Sequence, residues 1–131
     1  MFAFRSLFRW APAVVMMGLI FIASSTPASQ IPYFGAIDLL VKKGGHAIGY
    51  ALLGLSYFFA LPGRLSIPYR AVMALLMAVL FSLSDEFHQS FVEGRTSTVR
   101  DVLIDTGGAT LALFAAAIYS SSSKSSSNSG S

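Results

Sequence analysis

Apolar residues fall into four long runs along the chain, and nearly every charge falls between them or at their edges. The runs cover about 10–26, 44–61, 68–91 and 99–119. Each is close to the roughly 20 residues a helix needs to cross a hydrocarbon core. Pro27 closes the first, Pro62-Gly63 closes the second, and Pro68 opens the third. Four such runs cannot close a barrel, and in lipid every backbone amide needs an internal partner, so the runs predict helices. The expected fold is all-α, an integral membrane bundle of four transmembrane helices in up-down order. It forms one domain over 1–119. The remaining stretch, SSSSKSSSNSGS over 120–131, is low-complexity and expected to be disordered.

The first run has a rival reading. Arg5 and Arg9, an apolar stretch and then the small residues STPAS also fit a secretory signal cleaved near Ala28. The run is long enough to span, however, and three more follow, which favours its retention.

Composition narrows the class further. Apolar residues make up 54% of the 131 and charged residues 11%, the latter well below the roughly 25% of soluble domains. So few charges could not cover a soluble fold of this size. There is no cysteine, which excludes a disulfide framework and a thiolate metal centre. A net charge of +3 with scattered basic residues lacks the concentrated basic face that nucleic acid requires. The implied partners are membrane lipids, and the implied location is a cell membrane, crossed several times.

Basic residues near the run ends bear on orientation. With the N-terminus in the cytoplasm, Arg5, Arg9, Arg64, Arg70 and Lys124 lie inside, and Lys42, Lys43, Arg95 and Arg100 lie outside. The N-terminal pair usually dominates, so this orientation is the expected one. Cysteines placed at Ser97 and Ser66 are then expected to label from opposite sides, Ser97 from outside. In an up-down bundle the start of the second helix, the end of the third and the start of the fourth meet at one membrane face. That face gathers His46, the segment SDEFHQSFVEGR and the acids Asp101 and Asp105.

Ionised groups inside lipid cost about 2.5–3.5 kcal/mol each on insertion scales, so several persist only if paired, protonated or in a wet cavity. Ser82, Asp85 or Glu86, Gln89 and Glu93 share a stripe at i, i+3/i+4 spacing. Glu86 lies about 8 Å along the axis from Phe91, deep enough to hold or donate a proton. His88 is turned about 200° from Glu86 and is expected to face away from the cluster.

Three chemistries fit the cluster. The first is an anion pocket built on Arg95, His46, Lys42 and Lys43. The second is a metal site from His46, His88, Asp85, Glu86 and Asp105, disfavoured because no HExxH-like spacing occurs. The third is acid–base work by Glu86 with a histidine. Plainer roles run alongside. Asp101 after Thr98 fits a capping box, and Glu93-Gly94-Arg95 fits a tight turn with Gly at positive φ. Arg95 is expected to neutralise Asp85 or Glu86, with His46 near the same carboxylates, and a buried pair of that kind is not evidence of chemistry. Lys42, Lys43 and Arg100 fit interfacial anchors. GHAIG over 45–49 is a GxxxG pattern that lets helices approach closely, with Gly107-Gly108 opposite it.

The stretches KKGGHAIGYALLGL and SDEFHQSFVEGRTSTVRDVLIDTGGATL resemble the VanZ-like family of small bacterial membrane proteins. The shared pattern is a Lys and a His before a Tyr-containing helix, then DExxQ, a GR turn, and DxxxN/DxxG. Here those positions are Lys43, His46, Tyr50, Asp85, Glu86, Gln89, Gly94, Arg95, Asp101, Asp105 and Gly108. Where many members carry Asn in the fourth helix this chain has Asp105, which makes a carry-over at that position less secure. The resemblance implies a cell-envelope role, and the family takes its name from an association with glycopeptide (teicoplanin) resistance.

The expected ligand is an anionic envelope lipid, a lipid-linked precursor or a surface polymer, bound near the extracytoplasmic face. Glu86, His46 and Asp101 are the candidate catalytic residues, and Arg95, Lys43, Gln89, Asp85 and Asp105 the candidate binding residues. No metal and no cofactor are expected. Whether the site is enzymatic stays open. The alternative is a non-enzymatic accessory protein whose polar cluster is structural. A transporter is disfavoured, because neither inverted repeats nor midspan charges are visible.

Overall fold

The computed structural model describes residues 2–130. It holds four α-helices: α1 (Phe2–Ser25), α2 (Asp38–Ala60), α3 (Ile67–Gln89) and α4 (Val99–Asn128). Two short 3-10 turns, Ala28–Gln30 and Gly35–Ile37, lie between α1 and α2. The all-α, up-down bundle expected from the apolar runs is the fold the chain adopts. The shortest helices have 23 residues, about 35 Å at 1.5 Å per residue, enough for a core roughly 30 Å thick.

α1, α3 and α4 are long and apolar enough to cross a membrane. α2 is less uniformly apolar, because Asp38, Lys42, Lys43 and His46 crowd its first turns. It also packs against all three other helices, so part of its surface never meets lipid. The large buried side chains Tyr50, Leu53, Tyr57 and Phe58 all come from α2. Facing them, α3 and α4 present Ala74, Ala78, Ala109 and Ala116 with Ser82, Asp85, Glu86, Asp101 and Asp105. The outer surface carries Leu, Phe, Ile and Val. A small-residue and polar interior under a large apolar coat suits association in lipid, where close packing and hydrogen bonds replace hydrophobic exclusion. The chain is a multi-pass membrane protein.

Among the glycines of the helices, the tightest contact with a neighbouring helix is at Gly108. A Cβ there would lie 2.9 Å from the carbonyl carbon of Ala47 and closer still to its oxygen. Two turns further along α2, Gly54 meets Ala109 Cβ at 3.4 Å. The expected contact between GHAIG and Gly107-Gly108 is therefore only half realised. Gly108 fills it, but Gly45 and Gly107 have no neighbour within 4 Å of a would-be Cβ, and Gly49 faces Ile20 of α1.

The helices are longer than the apolar runs. α1 starts at Phe2 rather than about 10, and α2 at Asp38 rather than about 44, because hydropathy marks the lipid-exposed part and not the hydrogen-bonded ladder. α4 likewise runs to Asn128 through the serine-rich tail expected to be disordered. Once a helix is nucleated, each further residue adds one bond to an existing ladder. The final residue of that tail lies outside the described residues.

At the end where α2 finishes, Arg9 donates to the carbonyls of Phe59 (3.1 Å) and Leu61 (2.7 Å). Arg70 donates to the Phe58 carbonyl at 2.9 Å, its guanidinium 4.3 Å above the Phe58 ring. Two residues that first read as topology markers thus satisfy the last carbonyls of α2, where a cation also meets the negative end of the helix dipole.

Candidate membrane-embedded polar site

All six acidic residues lie at the opposite end of the bundle, where α1 ends, α2 begins, α3 ends and α4 begins. They separate into two layers.

The deeper layer is centred on the buried carboxylates of Asp85 and Asp105. Asp85 Oδ2 accepts from Ser24 Oγ at 2.7 Å, Gln89 Nε2 at 3.2 Å and Tyr50 OH at 3.4 Å. Gln89 also donates to Ser24 Oγ at 3.0 Å. One turn below, Asp105 accepts from Ser82 Oγ at 2.9 Å, and its other oxygen lies 3.7 Å from His46 Nδ1. Ser24, Ser82, Asp85 and Asp105 are each no more than 2% exposed. Together these bonds tie α1, α2, α3 and α4 through carboxylates that lipid alone could not accommodate.

The outer layer lines a cavity of about 200 Å³ between α2, α3, α4 and the α3–α4 connection. Lys42, Lys43, His46, Glu86, Gln89, Arg95, Asp101 and Asp105 all reach its wall. Lys43 pairs with Asp101, and Lys42 pairs with Asp38 at 2.9 Å, one turn back on its own helix. Asp101 also completes the cap of α4, since Thr98 Oγ1 accepts from its amide at 3.3 Å and donates to its Oδ2 at 2.9 Å. Thr98 thus caps α4 as the pattern suggests, but the return contact of Asp101 goes to the Thr98 hydroxyl rather than to its amide, and the same Asp serves an ion pair.

Arg95 departs from expectation. It forms no ion pair with Asp85 or Glu86; its Nη2 donates instead to the Ala23 carbonyl at 2.6 Å. The cause lies in the preceding turn. Gly94 has φ +74°, as the EGR pattern suggests, and a Cβ on it would lie 2.9 Å from Ala28 Cβ. The Ala28 amide donates to the Glu93 carbonyl at 3.3 Å. These contacts fold the connection over the end of α1, so Arg95 meets a carbonyl of that helix's last turn, which also accepts from the Thr26 amide, rather than the carboxylates of α3. His46 lies within electrostatic range of Glu86, as expected, and makes its closest acid contact with Asp105 on α4. The displacement of Arg95 and the Asp105 contact follow from which helices are neighbours, which spacing alone does not settle.

Three buried polar atoms have no hydrogen-bond partner at this end: Asp85 Oδ1, Glu86 Oε2 and Arg95 Nε. Glu86 is 5% exposed. Such atoms are costly and rare, and two of the three residues, Glu86 and Arg95, belong to the cavity wall.

Seven of the eight residues expected at a site line the cavity. Asp85 does not, being enclosed by Ser24, Tyr50 and Gln89. His88 lies outside as well, stacked on Phe21 at 4.5 Å between ring centroids, with Nε2 2.8 Å from Ser25 Oγ. Among the described residues no group of three or more histidines and acids is arranged to hold a metal ion. Sequence reasoning missed Ser24, whose only signal is its place on the inward stripe of α1 with Ala13 and Ile20. It also missed Ser97, whose hydroxyl donates to the Glu86 carbonyl at 2.7 Å and gives the end of α3 a partner.

No curated protein and no solved structure matches the chain. A family model described as VanZ/LLP1 matches residues 8–120, a span that takes in α2, α3, the polar site and most of α1 and α4. Helices, cavity and linked motifs fall within one matched segment, and the chain belongs to the VanZ/LLP1 family.

Proposed function

We propose that the outer cavity binds an anionic group of an envelope lipid, lipid-linked precursor or surface polymer at the extracytoplasmic face of the bacterial cytoplasmic membrane. One observation carries this reading. Of the three lysines and arginines on the cavity wall, Lys42 and Lys43 have carboxylate partners, whereas Arg95 has only a backbone carbonyl and an unpartnered Nε. A guanidinium so placed suits a phosphate or carboxylate, which it can grip through two parallel bonds. Glu86, a residue of the same wall whose buried Oε2 lacks a hydrogen-bond partner, is placed to accept or return a proton if the bound group is modified. His46 and Asp101 complete the wall from two other helices.

Envelope lipid and precursor profiles of cells carrying the gene, its deletion or single variants test the proposal. Deletion, Glu86→Gln and Arg95→Gln are expected to shift the same envelope species. His46→Ala is expected to follow them, and His88→Ala to behave as wild type at matched expression. A profile abolished by His88→Ala but untouched by His46→Ala would reject this site. The second reading, an accessory protein without chemistry, is favoured by the enclosed Asp85 network that ties α1, α2 and α3. It predicts unchanged lipid species with altered glycopeptide binding.

The orientation has its own measurement. Ser66 caps α3 by accepting from the Tyr69 amide and Ser97 holds the Glu86 carbonyl, so better probes are Gly63→Cys and Glu93→Cys in this cysteine-free chain. Glu93→Cys is expected to label with a membrane-impermeant maleimide in intact spheroplasts, and Gly63→Cys only after lysis. The reverse pattern would place the cavity at the cytoplasmic face.

A further inference from the structure

A second cavity, of about 480 Å³, runs between α1 and α2 and opens beside the polar one. Its volume is in the range of roughly 300–1,000 Å³ typical of small-molecule sites. On α1 it is walled by Met16, Leu19 and Ile20, and on α2 by Val41, Gly45 and Gly49. The α2 residues recur every four positions and so form one face. The groove exists because that face lacks side chains at its centre, and a Cβ on Gly45 would meet nothing within 4 Å. The groove narrows at Gly49, where a Cβ would lie 3.6 Å from Ile20 Cγ1 of α1.

The outer part of this apolar groove shares Ile31, Lys42, His46 and Arg95 with the polar cavity. A slot for hydrocarbon therefore leads to a wall bearing a guanidinium without a carboxylate partner and to Glu86 with its unpartnered oxygen. An amphiphile with one anionic end matches that sequence of surfaces. A free anion would leave the groove unused, and a purely apolar guest would leave Arg95 without a counter-charge.

We infer that the ligand is a membrane phospholipid with an anionic headgroup. One acyl chain lies in the α1–α2 groove, and the phosphate sits against Arg95 in the polar cavity, reached sideways from the bilayer. This rests on the anion reading of that cavity and adds the class of molecule that carries the anion. The chain fixes which molecules reach the site, because a soluble anion arrives from the aqueous side without crossing the groove.

The test uses the full chain in detergent and native mass spectrometry. The probes are phosphatidylglycerol and its chain-free counterpart, glycerophosphoglycerol. Gly45→Phe fills the groove without touching the polar cavity, and Val41→Trp does so from one turn away. Each is expected to weaken phosphatidylglycerol binding by about tenfold or more while leaving glycerophosphoglycerol unchanged. Arg95→Gln is expected to weaken both. Unchanged phosphatidylglycerol binding in both groove variants, or equal loss of the two probes in both, overturns the groove assignment. Loss of neither probe in Arg95→Gln overturns the headgroup reading instead. Disulfide-linked dimers of Gly45→Cys in a bilayer would show a second copy of the chain in the groove, and would also overturn the assignment.

Discussion

Gly108→Ala is expected to unfold or severely loosen the bundle, although the change is one methyl group in a helix. The added carbon would overlap the Ala47 carbonyl, with 2.9 Å to its carbon and 3.1 Å to the Ala47 Cα. These are backbone atoms of α2, which cannot rotate away as a side chain would. Relief requires α2 and α4 to separate, which pulls Lys43 from Asp101 and His46 from Asp105. Overpacking of this kind costs about 1–3 kcal/mol where side chains can yield, and the upper end or beyond is expected here. Gly54→Ala is expected to cost less, since its nearest neighbours are side-chain atoms at 3.4 and 3.5 Å. Gly107→Ala, in open space, is expected to be neutral or stabilising by a few tenths up to about 1 kcal/mol through helix propensity. Thermal midpoints of the three purified variants check the order. A Gly108→Ala protein as stable as Gly107→Ala would mean that α2 and α4 do not meet as described.

Asp85→Ala is expected to be the most damaging side-chain deletion in the polar layer. One carboxylate oxygen accepts from Ser24, Gln89 and Tyr50, drawn from α1, α3 and α2. Its removal leaves the Ser24 and Tyr50 hydroxyls buried without that acceptor, while Gln89 keeps only its bond to Ser24 Oγ. An unsatisfied buried donor costs about 1–3 kcal/mol, while single hydrogen bonds in membrane bundles average about 0.6 kcal/mol, so a loss of about 3 kcal/mol is expected for the set. Asp85→Asn keeps an acceptor and is expected to recover at least half of it. Ser24→Ala in the Asp85→Ala background is expected to cost less than Ser24→Ala alone, because the stranded hydroxyl is gone. Equal costs in the two backgrounds, measured by reversible unfolding in detergent, would break the link between α1 and the acidic layer.

The same contact bears on the signal-peptide reading of the first run. Ser24 sits just before the residues STPAS that suggested cleavage, yet its hydroxyl is completely buried against Asp85 and Gln89. Ala28, the expected cleavage position, bonds through its amide to Glu93. A short apolar helix ending in small residues describes both a leader and a packed helix, because both need flexible, uncharged ends. The partners of Ser24 on α3 are a tertiary contact that no local pattern contains.

Element existence and order were determined by the sequence itself, for a physical reason specific to this solvent. Lipid forces every backbone amide into a helix, so apolar length translates directly into spans and their alternation into a shared polar end. That end, the residue set lining it, the Thr98–Asp101 cap and the positive φ at Gly94 all follow from short-range chemistry. Only the tertiary structure decided the pairings. Arg95 turned to α1 instead of the carboxylates, and His46 met Asp105. Asp85 withdrew from the cavity into a closed network, and Gly108 rather than Gly45 set the helix spacing. Helical periodicity fixes which face a side chain occupies but carries no information about which helix lies opposite it. The partner is selected by how four packed helices share their small residues.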